Sequence, residues 1–393
     1  MRTPLAQTFD TWIRTDFREM NTQLEELYFG SEQREQVEGV GDAVKHELVE
    51  QGRVYIASLL QEGNTDEGFD HGFDLLGNVG FYMAACRRHG ITDPARERRS
   101  PLTEASALAM QLGASLGAIP RFASSHLETH NRAINGVYKS FTNLPDERTF
   151  LDYNTRGVFA YIRASEALLH ILPLGVSHPV TPDLLRVAKV ALQDVFASNR
   201  ELFQLLDIER FFYCIRPYYK PHRVGLHEYR GANAGDFAGI NVIDLLLGLC
   251  RADDPYYSQL LVDKFLFMRP QDQLVLRDCM RRKSLLDSFL EELEAHAAAP
   301  WFQRNAAAFL DVCNAHGEVA RQHHEQLVEH FIVVPAHDAG LEEQADLSAS
   351  GPPLPVLLKG LKTLCDLRSA ADRSDIPSRF ADIQRLRTAV TES

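Results

Sequence analysis

The sequence lacks the features of several large protein classes. Its six cysteines are scattered among 393 residues with no C-x-x-C pair, which argues against a disulfide framework and a cysteine-only zinc site. Cations are scarce, because 41 Lys and Arg stand against 54 Asp and Glu and leave a net charge of −13. We therefore expect no nucleic-acid partner, since binding to phosphates needs a surplus of positive charge.

Long apolar runs are also missing. The longest, around residues 245–250, is far shorter than the roughly 20 residues that cross a bilayer. The first residues contain no apolar block of the kind found in a secretion signal. These absences predict no membrane association and a cytoplasmic location.

The motifs of common enzyme classes are absent as well. No G-x-x-x-x-G-K-[ST] loop and no G-x-S-x-G turn occurs, which argues against P-loop nucleotide binding and α/β-hydrolase chemistry. No H-E-x-x-H is present, and none of the 15 histidines has a Glu three residues before it. Zincin and di-iron bundle sites therefore lack their defining spacing.

Helical periodicity, in contrast, is present in nearly every segment. Two examples of an apolar stripe at spacings of three and four are Leu184, Val187, Val190, Ala191 and Val195, and Leu285, Phe289 and Leu293. Helix starts are indicated at Thr181-Pro182 and Asp254-Pro255, and ends or turns at Gly30, Gly90 and Gly225. Alternating strand patterns are almost absent, so the sequence predicts an all-α fold.

Composition suggests a coarse domain organisation. A polar, proline-marked stretch near residues 90–102 separates an N-terminal helical region, 1–100, from a larger helical domain, 101–393. The segment Pro335 to Pro355 is rich in proline, acids and small residues. A loop that long inside a domain is usually a lid or disordered, and we predict a lid at 335–355.

Histidines are concentrated near the C-terminal end. His316, His323 and His330 are spaced seven apart, which favours a solvated polar helix face over a metal site, because imidazoles about 10 Å apart cannot share one ion. His324 instead shares a face with Leu327 and neighbouring apolar residues. A hydrogen-bonded core histidine is the usual interpretation, and an axial haem ligand, which needs one histidine and an apolar wall, is the alternative.

Two upstream segments fit a ligand site. Gly231, Gly235 and Gly239 recur every four residues and would let a flat cofactor, or another helix, approach closely. In FFYCIRPYYKPHRVG, Arg216 has the geometry to bind a carboxylate, and Phe211 offers a ring to an aromatic substrate. The alternative for the second segment is core packing with cations at its rim.

These segments, in this order, resemble the haem-dependent indole and tryptophan dioxygenase superfamily. Further patterns resemble monodechloroaminopyrrolnitrin synthase-like proteins within it: NVGFYMAACRRHG, PRFASSHLETHN, KSFTNLPDE and RPYYKPHRVG. The resemblance covers roughly residues 75 to 370. It implies an indoleamine/tryptophan 2,3-dioxygenase-like helical haem protein.

The resemblance also implies roles for individual residues. His324 matches the histidine that ligates the haem iron, and Arg321 matches an arginine that contacts a haem propionate. Ala232 and Asn233 fall beside the substrate and haem. Arg216 falls on the arginine that binds the substrate carboxylate, and Phe211 on an aromatic residue near the substrate ring.

Some positions depart from the dioxygenase pattern. Ser350 and Gly351 lie where the dioxygenases carry a glycine- and threonine-rich substrate loop, so we expect substrate contact with altered loop chemistry. Ile162 stands where they place a serine or histidine facing oxygen, and isoleucine cannot donate a hydrogen bond. Phe159 is expected to form a wall of the pocket. His126 is the one imidazole suggested for a catalytic role on that side, with a core residue as the alternative.

The sequence therefore predicts an enzyme that uses haem b and dioxygen. Its expected substrate is L-tryptophan or an indole derivative, and the resemblance places the reaction in secondary metabolism. The alternatives are a haem-dependent hydroxylase of tyrosine type and a non-catalytic haem-binding sensor. A homodimer is expected from the resemblance alone.

Overall fold

The computed structural model describes residues 3–63, 68–92, 99–233, 236–338 and 354–391. The helices in the first part of the chain are α1 (Pro4–Arg14), α2 (Asp16–Phe29), α3 (Asp42–Glu62), α4 (Phe69–Arg88), α5 (Thr103–Leu116), α6 (Pro145–Ile171), α7 (Thr181–Leu205) and α8 (Ile208–Arg210). Those in the second part are α9 (Gly239–Leu247), α10 (Pro255–Phe265), α11 (Pro270–Cys279), α12 (Leu285–His296), α13 (Pro300–Gln322), α14 (Val334–Asp338), α15 (Leu354–Arg368) and α16 (Phe380–Thr391). The predicted all-α fold is confirmed.

Short irregular elements interrupt this pattern. Two segments are π-helical, Phe211–Ile215 and His323–Val333. One antiparallel hairpin, β1 (His222–Val224) and β2 (His227–Tyr229), was not predicted. Its turn contains Gly225, whose positive φ of 61° is one that glycine adopts without strain.

The predicted helix signals act as expected at several positions. Helix α10 begins at Pro255, and Asp254 caps it by accepting a hydrogen bond from the Tyr257 N–H at 2.7 Å. Helix α7 begins at Thr181, and Gly30 follows the end of α2. All six cysteines are free of disulfide bonds and buried. Among the described helices, none is both long and apolar enough to span a bilayer.

The chain divides into two compact units. The first comprises Met1–Asp152, Leu205–Asp236 and Phe331–Leu354, and the second comprises Tyr153–Gln204, Phe237–His330 and Pro355–Ser393. The functional boundary expected at residue 100 stays a prediction. Within the predicted lid, residues up to Asp338 are helical, and residues 339–353, including Ser350 and Gly351, lie outside the described ranges.

The core of the first unit is built on aromatic side chains of the N-terminal helices. Trp12 of α1 lies 5.3 Å from Phe17 and 6.4 Å from Tyr82, measured between ring centroids. A buried ion pair reinforces this core: Arg88 of α4 donates to both carboxylate oxygens of Glu25, at 2.8 and 2.7 Å.

The core of the second unit is aliphatic and surrounds α9, whose residues from Gly239 to Leu247 are mostly buried. On α12 the predicted stripe, Leu285, Phe289 and Leu293, is buried. On α7 the predicted stripe is partly wrong, because Val187 and Val190 are about half exposed, whereas Leu185, Ala188 and Leu192 are buried.

Candidate functional site

Arg216 is a buried cation in the first unit. It begins the short 3-10 helix Arg216–Tyr219 and is 8% exposed. Its guanidinium lies 5.4 Å from the ring of Phe212, and no carboxylate among the described residues pairs with it. Burial lowers the pKa of Arg216 to about 10, so the group remains charged at neutral pH. A buried guanidinium in this state is suited to an external carboxylate.

Phe211, five residues before Arg216 in the sequence, lies in an aromatic cluster. It is 6% exposed, and its ring centroid is 5.0 Å from that of Phe150 and 5.9 Å from that of Phe331. Phe211 and Phe212 lie in the π-helical turn Phe211–Ile215, and Arg216 follows that turn directly. The aromatic ring next to the guanidinium is that of Phe212, and the role of Phe211 beside a substrate ring stays a prediction.

His126 occupies a different environment from the one expected of a catalytic imidazole. Its Nδ1 accepts a hydrogen bond from the Ala123 N–H at 2.8 Å, and its Nε2 donates to the Phe73 carbonyl at 2.8 Å. Its ring stacks on Phe73 at 3.9 Å. Since both ring nitrogens are used within the core, the geometry does not support the catalytic role predicted for His126 and favours the core alternative.

The loop of small residues before α9 is tied down at both ends. Ala232 is 2% exposed within the core of the first unit, and the Asn233 amide donates to the Gly231 carbonyl at 3.1 Å. The Asn233 N–H donates to Asp236 at 3.4 Å, and Arg121 donates to both oxygens of Asp236 at 2.7 and 3.1 Å. Burial and hydrogen bonds therefore hold these residues in place, and the expected position of Ala232 and Asn233 beside substrate and haem stays a prediction.

Glu128, which sequence reasoning missed, lies within electrostatic reach of this loop. Burial first, and then the negative charge of Asp236, raise the pKa of the Glu128 carboxyl to about 8. None of the described residues forms an ion pair with it. The Tyr219 hydroxyl is buried and lacks a hydrogen-bond partner within the described ranges; burial, and then the charges of Glu147 and Glu128, raise its pKa. No sequence pattern marks Glu128, because its surroundings come from distant segments.

In the second unit, two predicted segments pack side by side. Ala160 of α6 contacts Val319 of α13 and Val195 of α7 in a small apolar cluster. Phe159 is 49% exposed and Ile162 is partly buried. The helix that carries Phe159 and Ile162 is thus adjacent to the helix that leads to His324.

His324 lies in the π-helical segment that follows α13. Its side chain is partly buried, and its Nδ1 is buried with no hydrogen-bond partner in the described ranges. Val328, on the same segment, is 3% exposed, whereas Arg321 at the end of α13 is exposed. π-helical turns are frequent at functional sites, and the role of His324 as a haem ligand stays a prediction.

The other histidines of this region do not form one solvated face. His316 is 1% exposed, and its Nε2 is 2.7 Å from Asp244 Oδ1, so that interpretation is wrong for it. His330 is exposed. Burial, with a smaller effect from Arg368, lowers the pKa of His323 to about 4. Within the described residues no group of three or more His, Cys, Asp or Glu converges to hold a metal ion.

Comparison with known families identifies the family of this chain. The family model described as monodechloroaminopyrrolnitrin synthase PrnB matches residues 3–390. The chain belongs to this family. Its members are haem-dependent oxygenases of secondary metabolism, so the predicted enzyme class is confirmed over a non-catalytic sensor. The match identifies no individual site residue, and the roles of Arg216, His324 and their neighbours stay predictions.

Proposed function

We propose that this member of the PrnB family binds L-tryptophan or an indole derivative by its carboxylate at Arg216 and binds haem b at His324, with dioxygen as co-substrate. The family accounts for haem, oxygen and a tryptophan-derived substrate in general. The observation that carries the specific proposal is the buried guanidinium of Arg216, which has no carboxylate partner among the described residues.

Arg216 would bind the substrate through its charge and shape. A desolvated cation is costly unless it is paired, and a substrate carboxylate supplies the missing charge through two parallel hydrogen bonds. Phe211 and Phe150 form an aromatic surface on which an indole ring can pack. Fixing both ends of an amino acid restricts its orientation, which lowers the entropic cost of reaching the transition state.

The residues around His324 fit a single-histidine haem ligand. One histidine and an apolar wall can hold a haem, and His324 offers a partly open ring on the segment that buries Val328. The exposed Arg321 is one helical turn before His324 and has the charge to bind a propionate. When bound, haem supplies the oxygen-activating redox chemistry.

The two residues of α6 that we assign to the pocket, Phe159 and Ile162, have apolar side chains. Ile162 cannot donate or accept a hydrogen bond, and the exposed ring of Phe159 offers apolar surface to a ligand. Since both ring nitrogens of His126 are used within the core, Glu128 is the carboxyl group of the first unit best suited to hold a proton at neutral pH.

We propose small aromatic amino acids as the partners of the chain. Homodimerisation remains a prediction from the family.

The test compares ligands with and without a carboxylate. Isothermal titration of the haem-loaded enzyme with L-tryptophan and with tryptamine measures how much the carboxylate contributes. In Arg216→Ala we expect L-tryptophan affinity to fall at least about 30-fold, because losing one partner of a buried charge pair costs about 2 kcal/mol or more. Tryptamine affinity should change little.

Arg210→Ala is the matched control. Arg210 lies in the same segment, but it pairs with Glu26 at 2.9 Å and should leave the preference for L-tryptophan intact. Unchanged L-tryptophan affinity in Arg216→Ala would contradict the proposal. Tighter binding of L-tyrosine than of L-tryptophan by the wild-type enzyme would favour the hydroxylase alternative.

A further inference from the structure

Asp244 is the centre of a buried polar network in the second unit. It is fully buried on α9 and accepts hydrogen bonds from three side chains on three other helices. His316 of α13 donates to Oδ1 at 2.7 Å, and Tyr257 of α10 donates to Oδ2 at 2.7 Å. Arg368, the last residue of α15, donates to Oδ1 at 2.9 Å and to Oδ2 at 2.8 Å.

This network keeps its carboxylate ionised. Burial alone would raise the pKa of Asp244, but Arg368 and His316 outweigh burial and hold it below its usual value. Each hydrogen bond requires a defined distance and angle, so a buried carboxylate with this many donors fixes the positions of the donor side chains. The four helices are therefore fixed to one another at this point.

A close backbone contact lies beside the network. A Cβ atom added at Gly317 would be 3.0 Å from the Cα of Ser369 and 3.4 Å from the Arg368 carbonyl oxygen. Glycine thus lets α13 approach the end of α15 one residue after His316. Hydrogen bonds and close packing restrain the same turn of α13.

A second restraint lies at the end of α13. The Gln322 amide donates to the Phe196 carbonyl at 2.9 Å and accepts from Asn199 at 3.1 Å. His324 follows two residues later, at the start of the π-helical segment. Because α13 is a continuous helix from Pro300 to Gln322, restraints at His316 and Gln322 fix the direction in which the chain enters that segment.

We infer that Asp244, Arg368 and His316 are positioning residues for His324, so that helix α15 is part of the machinery that presents the haem ligand. This inference rests on the proposed role of His324. It assigns a function to a polar network that contains none of the residues proposed to touch haem or substrate. The expected consequence of breaking it is a misdirected imidazole rather than a missing one.

The test uses Asp244→Asn and Arg368→Lys, which keep size or charge but lose the two-oxygen pairing. Each full-length apo-protein is checked for folding by circular dichroism and then titrated with hemin, and the iron–histidine stretching band of the ferrous protein is recorded by resonance Raman spectroscopy. We expect hemin affinity to fall by up to about 10-fold, the lower limit for residues bonded directly to a metal ligand, because the network acts on His324 only through the helix; the iron–histidine band should shift. Arg368→Ala should show a larger change than Arg368→Lys.

Asn305→Ala is the matched control on the same helix. It removes a buried hydrogen bond to the Val176 carbonyl, 2.8 Å long, and so lowers stability without acting on the network. We expect its iron–histidine band to match the wild type. Folded Asp244→Asn or Arg368→Lys with wild-type hemin affinity and an unshifted band would overturn the inference. An iron–histidine band that survives in His324→Ala would instead reject the proposed ligand, so the two failures are distinguishable.

Discussion

Gly231→Ala tests the packing of the small-residue loop most severely. A Cβ atom at this position would be 1.6 Å from the Tyr219 carbonyl oxygen and 2.5 Å from the carbonyl carbon. Ordinary contact begins near 3.4 Å, so the two backbones would have to separate by 3.4 − 1.6 = 1.8 Å. Overpacking a well-filled site typically costs about 1–3 kcal/mol, and a clash between two backbones should reach or exceed the upper value.

The assay is urea unfolding followed by circular dichroism, with Gly360→Ala as the control. A Cβ at Gly360, inside α15, would meet the Tyr256 hydroxyl at an ordinary 3.5 Å and no other described atom so close. Alanine there should raise stability by up to about 1 kcal/mol, because it favours the helix over glycine. We therefore expect opposite signs for the two substitutions. If Gly231→Ala is as stable as the wild type, the close approach of the loop to Tyr219 is wrong.

Two further predictions concern buried charges of the first unit. Glu25→Gln should lower the free energy of unfolding by about 3–5 kcal/mol, because it leaves Arg88 buried without its partner; a loss below about 1 kcal/mol in urea unfolding would contradict this. The raised pKa of Glu128, about 8 against an ordinary 4.5, means that the folded state keeps a proton that the unfolded state releases. Wild-type stability relative to Glu128→Gln should therefore be highest below about pH 4.5 and fall by up to about 1.4 kcal/mol per unit until about pH 8. Equal pH slopes in the two proteins would disprove it.

Local signals in the sequence predicted the helices but not always their buried faces. The start of α10 at Asp254-Pro255 depends on capping chemistry that neighbouring residues supply, so it was predictable. On α7 the stripe was partly wrong, because the large apolar residues Val187 and Val190 are about half exposed. The buried face there includes Ala188, whose small side chain permits close packing but carries little weight in an apolar pattern.

The polar network could be predicted only in part. A single Asp244 inside the run INVIDLLLGLC indicates a buried carboxylate that needs partners. Its partner His316 lies 72 residues away, and periodicity cannot identify such a pair. The surroundings of His126 could not be predicted for the same reason, because its Nε2 donates to the carbonyl of Phe73, 53 residues earlier in the chain. The family was recognised from the order of short motifs, which requires residue identities and no knowledge of contacts.

The most direct test of the account is a hemin titration of wild-type apo-protein and of His324→Ala, followed by their absorption spectra. We predict that the wild type binds one haem with the spectrum of a histidine ligand, and that His324→Ala loses affinity or shows a changed axial ligand. A wild-type protein that binds no hemin, or a variant with unchanged affinity and spectrum, would contradict the assignment of His324.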